Sequence, residues 1–556
     1  MVLLLRSLRF LVLSLVVVLG IRASIGEAAG QDGTGAKPSS ETPQRVNLLW
    51  ISCEDISPQL GCYGFAPAYT PNLDQLAREG ARFDGAFTPA GVCAVVRSGV
   101  ITGTYAVSIG SQHMRSRIVP EAGIRCFTEY LREAGYFCTN RSKTDYQFEA
   151  PLTAWDRQGN RHEDWREREP GQPFFSVINL TMTHESQVRH PARQHEQLME
   201  RLDPQARHDP DAIADTLPPY FPDTPAVRQD WAWYHDNISA MDAEVGRILA
   251  RLEEDGLADN TLVVFWSDHG QGLPRGKRWL YDSGTHIPMI ARWPGMLEPG
   301  QTREDLVSVL DLPATMLAVA GVERPEYFVG RVLLGPDQEP EPEYLFLHRD
   351  RMDEALDQTR GVRSRRFRYL RNYEPSRGYA QGIRYMDLMP TMREWREAER
   401  AGTLSDVQRA WFRTPKPLEE FYDLQADPHE VENLIDDPRF AAEVTAMRQA
   451  LEEWQVAVGD QGMLPEPVQM ERLESEHADR RTARPRWELQ TQGDSIVARL
   501  SCDTPGASLA YRAADDSEGD WRLYVGPIEV PAGTVLEAIA CRIGYRDSPR
   551  VSTADR

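Results

Sequence analysis

The segment VNLLWISCED, residues 46–55, joins a run of apolar and β-branched residues to a pair of acidic ones. Two later runs have the same apolar character, FFSVINL at 174–180 and TLVVFWS at 261–267. Short runs that are apolar throughout, rather than alternating with polar residues, are typical of strands buried on both faces of a parallel sheet. The sequence therefore predicts a sheet that is covered on both sides.

The segments between these strands predict amphipathic helices. TPNLDQLAREG, 70–80, has Thr70 as the N-cap, Pro71 at the first helical position and Gly80 after the end. FTEYLREAG at 127–135 and NISAMDAEVGRILARLEEDG at 237–256 predict two more helices. Strands that alternate with helices need crossover connections, so we expect an α/β fold with a large, mainly parallel sheet flanked by helices.

Polar residues follow each of these strands. Glu54 and Asp55 come directly after the first, His184 a few residues after the second, and Asp268 and His269 directly after the third. Ligands of open parallel sheets bind beyond the carboxyl ends of the strands, so these side chains are expected to converge. Carboxylate oxygens favour calcium or magnesium, and a histidine shifts the preference toward manganese or zinc. The alternative interpretation is that the acidic residues only cap helices and form turns.

The charge of the chain excludes one class of partner. Its 556 residues contain 62 Lys and Arg against 84 Asp and Glu, which gives a formal net charge of -22. Such a chain has no net electrostatic attraction to nucleic acid or to anionic lipid. We therefore expect no nucleic-acid partner, and an anionic substrate would need a local basic site.

The N-terminus has the layout of an export signal. Arg6 and Arg9 precede an apolar run at 10–19, and small residues surround Ala28. This predicts a signal peptide at 1–28, a disordered leader at 29–44, a secreted or periplasmic protein, and no stable membrane insertion after cleavage. An uncleaved N-terminal anchor is the alternative.

Export would allow disulfides to persist. If Cys93 is set aside, six cysteines remain that could pair: Cys53, Cys62, Cys126, Cys138, Cys502 and Cys541. Cys93 itself lies in TPAGVCAVVRSGVITGTY, 88–105, between a Pro/Gly turn and a predicted helix. It is interpreted as a buried thiol, a disulfide partner or the precursor of a nucleophile.

Seven separated motifs, in this order, resemble type I sulfatases of the alkaline phosphatase superfamily. They are the first strand with its acidic pair, TPNLDQLAREGARF, the cysteine in its CxxxR context before TG, FFSVINLTMTHES, VVFWSDHG, GKRWLYDSGTHIPMI and EFYDLQADPHEVENL. The resemblance runs from about Val46 to about Leu464 and is strongest to the bacterial secreted branch similar to heparan N-sulfatases. It implies an alkaline phosphatase-like fold and the hydrolysis of sulfate esters or sulfamates, on a glycan.

The resemblance also implies roles for individual residues. Cys93 matches the cysteine that a formylglycine-generating enzyme or an anaerobic sulfatase-maturing enzyme oxidises to formylglycine, which supplies the nucleophilic oxygen. Arg97 matches the arginine that holds this residue. Lys143 and Lys277 match lysines that contact the sulfate, and His184 matches the histidine that protonates the leaving group. An imidazole suits proton transfer near neutral pH, and a modified cysteine can release the sulfate that a serine or thiol would retain.

The matched metal ligands are Glu54, Asp55, Asp268 and His269. They imply one divalent cation, with calcium as the usual ion of the family and manganese or magnesium as alternatives. A dication and two lysines would together offset the charge of the sulfate group.

The chain departs from the family pattern in three places. The modification signal usually has Pro or Ala where CAVVR has Val95, and the first acidic ligand is Glu54 rather than Asp. The usual Lys-x-His is KTD at 143–145, so His113 or Asp145 would have to replace the missing histidine. These differences leave open whether Cys93 is modified.

Two further segments are interpreted less specifically. His286, in SGTHIP, is predicted to contact substrate, with a structural role at a strand end as the alternative. The basic run RGVRSRRFRYLRN, 360–372, predicts the solvated face of an antiparallel strand, with binding of a polysulfated glycan as the alternative.

The domain organisation predicted from these patterns has four parts after the leader. They are a catalytic domain at 45–340, a C-terminal sulfatase subdomain with a small antiparallel sheet at 341–464, a linker at 465–486 and a small β-sandwich module at 487–556. Cys502 and Cys541 could staple that module.

Three functions remain in view. The first is a metal-dependent, formylglycine-type sulfatase that acts on a sulfated carbohydrate. The second is a phosphodiester or phosphonate monoester hydrolase of the same superfamily, since SDHG and the modified cysteine also occur there. The third is an inactive protein that binds sulfated glycans, an interpretation that Val95 supports.

Overall fold

The computed structural model describes residues 45–160, 164–476, 480–515 and 521–555. The predicted signal peptide and leader, 1–44, lie outside the described residues. From Arg45 onward the chain forms one compact unit.

The strands fall into a large sheet, several small antiparallel sheets and one two-stranded parallel pair. In chain order they are β1 Asn47–Cys53, β2 Ala81–Phe83, β3 Ala86–Phe87, β4 Phe137–Arg141, β5 Arg157–Gln158, β6 Phe174–Leu180, β7 Thr261–Ser267, β8 Met289–Arg292, β9 Gln301–Arg303, β10 Val307–Ser308, β11 Leu345–Arg349, β12 Thr359–Arg363, β13 Phe367–Asn372, β14 Glu419–Asp423, β15 Arg486–Gln492, β16 Ser495–Ser501, β17 Ser508–Ala513, β18 Arg522–Leu523, β19 Ile528–Pro531, β20 Leu536–Cys541 and β21 Val551–Ser552.

The α-helices connect and cover these strands. They are α1 Pro71–Glu79, α2 Cys93–Thr102, α3 Phe127–Glu133, α4 Ala192–Met199, α5 Pro225–Glu254, α6 Asp282–Thr285, α7 Asp311–Val319, α8 Pro390–Ala401, α9 Asp406–Arg409, α10 Ala441–Ala457 and α11 Glu466–Glu476. Within the described ranges, no helix combines the length and apolar character that a bilayer crossing requires.

The large sheet has eight strands in the order β5-β4-β6-β1-β7-β8-β2-β9. β5, β4, β6, β1 and β7 run parallel, and β8 pairs antiparallel with β7 and β2. The predicted mainly parallel sheet is therefore confirmed. Cys53 is in register with Leu180 and with Ser267, so the three central strands end at the same level.

Side chains of β1 alternate between two hydrophobic cores. Leu48 and Trp50 pack in one core, and Leu49 and Ile51 pack in the other, all at most 2% exposed. Burying each such side chain contributes roughly 1.5–3 kcal/mol, which explains why the strand is apolar from Leu48 to Ile51.

One predicted helix differs from the observed helix in length, and another agrees with it. α5 begins at Pro225, with Thr224 as its capping residue, rather than near 237. Its first half buries polar residues such as Asp230 and Asp236, and these interrupt the apolar periodicity that marks a helix in sequence. α3 ends at Glu133, and Gly135 follows its cap with a φ of 88°, as predicted for the glycine that closes this helix.

Beyond the large sheet, β11–β14 form an antiparallel sheet against which α10 packs. The next strands form two antiparallel sheets, β15-β16-β19 and β18-β17-β20-β21. We refer to the described residues from Arg480 onward as the C-terminal module. Helix α11 forms part of the predicted linker. Its first residue, Glu466, pairs with Arg351, and the distance from Arg351 Nε to Glu466 Oε2 is 2.6 Å. The domain boundaries stay predictions.

The prediction of disulfides is wrong. All seven cysteines lie in the described part of the chain, and all are free. Cys502 follows β16 and directs its sulfur to the carbonyl of Ala483 at 3.3 Å, whereas Cys541 ends β20 in the other sheet of the module and contacts Asp547. The two sulfurs therefore face different surroundings, and no staple joins the sheets.

The basic run at 360–372 does form antiparallel strands, β12 and β13, but it is only partly solvated: the side chains of Arg365, Arg366 and Arg371 are at least 36% exposed, whereas its other arginines are buried. Arg360 and Arg368 are fully buried and Arg363 is 6% exposed. Their guanidinium groups pair with carboxylates on other segments of the chain, so these three cannot form an exposed glycan-binding face.

Candidate active site

The carboxyl ends of the parallel strands bring the predicted polar residues together. Glu54 and Asp55 follow β1, Lys143 and Asp145 follow β4, and His184 follows β6. Asp268 and His269 follow β7, and Cys93 and Arg97 reach the same place from α2. In the structure these side chains therefore converge at one edge of the sheet, as the strand ends predicted.

Cys93 is the first residue of α2 and is 3% exposed. One ligand atom from each of Cys93, Asp268 and His269 lies within 4.8 Å of the others. Burial raises the pKa of the Cys93 thiol, and the nearby Lys277 and Lys143 offset only part of this effect. As an unmodified residue, Cys93 is a protonated and weakly nucleophilic thiol at neutral pH.

Arg97 lies one turn along α2 and is held by two acceptors. Its Nε donates to Asp268 Oδ2 at 3.1 Å, and its Nη1 donates to Asn179 Oδ1 at 2.7 Å. Asn179 also accepts from Ser52 Oγ at 2.6 Å and donates to Asn140 at 2.8 Å. Sequence reasoning missed Asn179; a polar residue inside the apolar run FFSVINL is the signal that marks it.

Glu54 is 1% exposed and lies beside two cations. Lys143 Nζ is 2.5 Å from Glu54 Oε1, and an Arg97 nitrogen is 3.7 Å from the same oxygen. Burial, together with the nearby Asp268 carboxylate, raises the pKa of Glu54 despite these cations. Lys143 also lies 3.6 Å from Asp145.

Asp145 lies close to both Lys143 and Cys93. Burial would raise its pKa, but Lys143 and a hydrogen bond with the Cys93 thiol outweigh burial and lower it. The structure therefore places a carboxylate, not an imidazole, at this edge of the site.

Asp55 is fully buried and makes contacts on both carboxylate oxygens. Lys277 Nζ donates to Oδ1 at 3.0 Å and to Oδ2 at 2.8 Å, and the backbone N–H of Glu185 donates to Oδ2 at 2.7 Å. Burial alone would raise the pKa of Asp55, but Lys277 holds it well below its usual value.

The orientation of His269 fits a cation. Its Nδ1 lies 2.9 Å from the carbonyl of Gly270, which can only accept, so Nδ1 carries a proton. Its buried Nε2 lies 2.9 Å from Asp55 Oδ1 and 3.7 Å from Asp268 Oδ1 without forming a hydrogen bond. In neutral His269 this nitrogen presents a lone pair to two carboxylates, an arrangement that a bound cation would relieve. A metal-ligating histidine commonly donates its other N–H to a backbone carbonyl in this way.

His184 caps a short 3-10 helix, Glu185–Arg189. The backbone N–H of Ser186 points at its Nδ1 at 3.3 Å, so this nitrogen accepts and neutral His184 carries its proton on Nε2. Burial, followed by the nearby Lys277, lowers the pKa of His184 to about 4. The imidazole is neutral at neutral pH in the substrate-free site.

Two further charged residues were missed from sequence. Arg278 donates to both oxygens of Glu185, at 3.0 and 2.8 Å, and contacts Asp353 at 3.2 Å. Glu185 also lies 3.2 Å from Lys277, so it links the two cations. Burial opposes ionisation of Glu185, but Arg278 and Lys277 lower its pKa to about 2. Their adjacency in sequence to His184 and Lys277 was the available signal.

The backbone around the site is strained. Asp55, Asp145, Arg278 and Asp353 all have φ between 49° and 79°, in the left-handed region that residues other than glycine rarely adopt. Such conformations cost about 1–3 kcal/mol each and cluster at functional sites.

Two predicted residues lie elsewhere. The Nδ1 of His113 faces the backbone N–H of Arg351 at 3.4 Å and Glu466 at 3.9 Å. His286 bonds the carbonyl of Asp84 at 2.8 Å and stacks on Phe87 with ring centroids 4.8 Å apart. None of these contacts involves Cys93, Asp268 or His269.

Comparison with known proteins agrees with this geometry. The sulfatase family model matches residues 46–322, and the model of the N-sulphoglucosamine sulphohydrolase C-terminal region matches 274–388. An ulvan-active sulfatase from Formosa agariphila is 37% identical over 554 residues, covering 92% of this chain and 92% of the relative. The chain belongs to the sulfatase family.

Other relatives agree with this sulfatase assignment. N-sulphoglucosamine sulphohydrolase from Homo sapiens is 28% identical, covering 74% of this chain and 89% of the relative. A solved protein in complex with its substrate D-glucosamine-2-N,6-O-disulfate shares the fold, with a TM-score of 0.54, 20% identity, and coverage of 75% of this chain and 98% of the other. The resemblance to heparan N-sulfatases and the alkaline phosphatase-like fold are confirmed. The chain is a sulfuric ester hydrolase of a family that uses a metal cation and formylglycine.

Proposed function

We propose that this sulfatase removes sulfate from a sulfated carbohydrate, as an ester or a sulfamate, with a formylglycine made from Cys93 and one divalent cation. The observation that carries the proposal is the position of Cys93. It begins a buried helix and has Asp268 and His269 within 4.8 Å, at the carboxyl edge of the sheet. The dipole of α2 also favours a negatively charged group at this end.

The state of the thiol supports modification of Cys93. Burial keeps the thiol protonated, so the unmodified side chain is a poor nucleophile, and its surroundings do not activate it as they would a catalytic cysteine. An oxygen nucleophile generated from formylglycine does not depend on thiolate formation.

Glu54, Asp55, Asp268 and His269 would hold the cation. Three carboxylates and one imidazole form an oxygen-rich set that suits calcium, with manganese or magnesium as alternatives. When bound, a divalent cation stabilises negative charge that develops on a sulfate group.

The remaining charged side chains have complementary tasks. Lys143 and Lys277 supply positive charge on two sides of Cys93, and both also face the carboxylates of the site. Arg97 is fixed by Asp268 and Asn179, so it positions the start of α2 against the metal ligands. Preorganised charge of this kind lowers the barrier to attack on an anionic group.

His184 would protonate the departing group. Its neutral form carries a proton on Nε2, and an anionic sulfate beside Lys277 would raise its lowered pKa toward neutrality. A second proton on the imidazole is then available for the leaving oxygen or nitrogen. Asp145 takes the place of the missing histidine beside Cys93.

The substrate class follows from the relatives and from local charge. One relative is named for activity on ulvan, and another for N-sulphoglucosamine. Despite the net charge of -22, cations surround Cys93, as an anionic glycan requires. The export signal predicted at 1–28 would place the enzyme outside the cytoplasm, where such glycans are encountered. We also propose a catalytic domain at 45–340, a C-terminal sulfatase subdomain at 341–464, a linker at 465–486 and a β-sandwich module at 487–556.

The experiment that tests the proposal is the mass of the tryptic peptide Phe83–Arg97 from protein made in its native host. A peptide lighter by the change from thiol to aldehyde is expected. The same preparation is then assayed on 4-nitrophenyl sulfate, ulvan oligosaccharides and N-sulfoglucosamine, with Cys93→Ala as the inactive control and phenyl phosphonate esters as the comparison.

An unmodified Cys93 in active protein would overturn the formylglycine mechanism. Unmodified protein that binds sulfated oligosaccharides without hydrolysing them would favour the inactive binder. Faster turnover of the phosphonate esters would favour the phosphonate hydrolase.

A further inference from the structure

A cleft of about 640 Å³ lies where the C-terminal module meets the catalytic domain. One wall comes from residues 115–118 and 145–149, and the other from Arg480, Gly544 and Arg546 of the module. Pockets for small ligands commonly span about 300–1,000 Å³, so this cleft has room for a sugar unit.

The cleft begins at the candidate active site. Asp145 lines it and lies 3.6 Å from Lys143, whose Nζ is 2.5 Å from Glu54 in the candidate active site. Arg115, on the same wall, donates to Asp353 at 2.9 Å, and Asp353 accepts from Arg278. A sugar whose sulfate reaches Cys93 therefore has the cleft beside it.

The module is docked firmly at this position. The N–H of Gly544 donates to the carbonyl of Glu149 at 2.8 Å, and Arg542 donates to the carbonyl of Pro120 at 3.1 Å. Arg132 of the catalytic domain donates to the carbonyl of Trp521 at 2.8 Å.

Close backbone packing explains why residue 544 is a glycine. A Cβ on Gly544 would lie 2.8 Å from the carbonyl oxygen of Ile118, and its φ of 76° is strained for other residues. The module is therefore a fixed wall of the cleft rather than a domain on a flexible tether.

The backbone holds the two module arginines side by side. The N–H of Arg546 donates to the carbonyl of Arg480 at 2.7 Å, and the N–H of Thr482 donates to the carbonyl of Arg546 at 3.0 Å. Both arginines line the cleft, and the other wall carries Arg115 and Arg117.

The charge of the cleft identifies its ligand. Among the described residues, four arginines line it against two acidic residues, Asp145 and Glu149, in a protein with a formal net charge of -22. Arginine is the side chain best suited to bind carboxylate or sulfate oxygens in pairs of hydrogen bonds.

We propose that the C-terminal module completes the substrate site, with Arg480 and Arg546 binding an oxyanion on the sugar next to the one that carries the scissile sulfate. This inference rests on the proposed function. The oxyanion is a uronate carboxylate or a second sulfate, and the module makes the enzyme selective for glycans with an anionic neighbour.

The test compares the double variant Arg480→Gln/Arg546→Gln with wild type on ulvan oligosaccharides and on 4-nitrophenyl sulfate. The ratio of kcat/KM on oligosaccharides to that on the aryl sulfate is expected to fall at least tenfold, through KM. Arg499→Gln, an exposed arginine on β16 of the same module, is the matched control and keeps the wild-type ratio. Thermal melting checks that the variants fold.

A second set of oligosaccharides with chemically reduced carboxylates identifies the oxyanion. If wild type loses the selectivity on this set, the ligand is a carboxylate; if it keeps it, the ligand is a second sulfate. An unchanged ratio in the double variant would overturn the inference.

A binding experiment distinguishes failure of this inference from failure of the proposed function. In the Cys93→Ala background, calorimetry with ulvan oligosaccharides is expected to show a Kd at least tenfold weaker in the double variant. This result would support the cleft even if wild type hydrolysed nothing, whereas equal Kd values, or no binding by either protein, would overturn it.

Discussion

The Nε2 atom of His269 lies 2.9 Å from Oδ1 of Asp55, and both side chains are fully buried. Because Nδ1 is committed to the carbonyl of Gly270, this contact brings a lone pair against a carboxylate whenever His269 is neutral. The pair therefore has the electrostatics of a cation site whose residues are already in place.

A divalent cation is thus expected to stabilise the folded protein. Chelation should lower the melting temperature, and added calcium should restore it, since a ligand that binds only the folded state adds RT ln(1 + [L]/Kd). His269→Ala should weaken calcium binding at least tenfold by calorimetry. His286→Ala, a partly exposed histidine outside the cluster, is the control. Equal calcium affinity in wild type and His269→Ala would contradict the ligand assignment.

Replacing Val95 should raise the fraction of modified Cys93. Val95→Ala turns CAVVR into a sequence of the CxAxR type, the usual signal implied by the family resemblance. Removing two buried methyl groups costs about 2 kcal/mol of stability because Val95 is 1% exposed. Val96→Ala loses the same volume in the same helix without changing the signal position.

The readout for Val95 is the ratio of aldehyde-bearing to thiol-bearing Phe83–Arg97 peptide by mass spectrometry. A higher ratio in Val95→Ala than in both wild type and Val96→Ala is expected. Equal ratios in all three proteins would show that Val95 does not limit modification.

The sequence predicted those features that depend on local pattern. β1, β6 and β7 were visible as apolar runs, and the acidic pair after β1 and SDHG after β7 lay where strand ends converge. Features that depend on distant partners were not predictable. The charge of Arg360 suggested exposure because its partners, Asp350 and Asp460, meet it only in the folded chain.

The same limit applies to the interior of the site. Glu185 and Asn179 have no motif of their own, and their roles emerge only from contacts with Arg278 and Arg97. The prediction of disulfides failed for a related reason. An export signal and an even number of cysteines besides Cys93 favour pairing, but the fold places Cys502 and Cys541 at strands of two different sheets.

The buried ion pairs of Arg360 predict a large stability difference between two register partners. Arg360 and Arg371 lie opposite each other on β12 and β13, but Arg360 is fully buried and the Arg371 side chain is 36% exposed. Arg360→Met leaves Asp350 and Asp460 without their cation and should cost about 3–5 kcal/mol. Arg371→Met loses a surface pair with Glu452 and a contact with the Tyr373 ring, and it should cost about 1 kcal/mol or less. Similar costs for both variants in denaturant unfolding would contradict this account.

Asp230 predicts how stability depends on pH. It lies buried in α5, and its Oδ2 accepts from the N–H of Thr391 at 2.8 Å and from its hydroxyl at 2.7 Å. Burial raises the pKa of Asp230 to about 6, against the opposing effect of the Thr391 bonds. The folded state therefore binds this proton more tightly than the unfolded state, whose carboxyl has the ordinary value of 3.8.

The sign of the effect follows by linkage. Between about pH 4 and pH 6 the folded protein holds the proton that the unfolded chain has released, so the free energy of unfolding falls as pH rises. Asp230→Asn keeps a carbonyl oxygen for both Thr391 donors and carries no charge. It should raise the free energy of unfolding by about 2–3 kcal/mol at pH 8 and by nearly nothing at pH 4.

The measurement is the melting temperature of wild type and Asp230→Asn from pH 4 to pH 8. Asp236, one turn and a half further along α5, provides an opposite control, because burial would raise its pKa but His195 and His208 outweigh it and lower it. Its stabilisation is present above the unfolded pKa and is lost as pH falls. Asp236→Asn should therefore lower the melting temperature most near neutral pH. Curves for wild type and Asp230→Asn that run parallel across the whole range would show that the carboxyl of Asp230 does not titrate near 6.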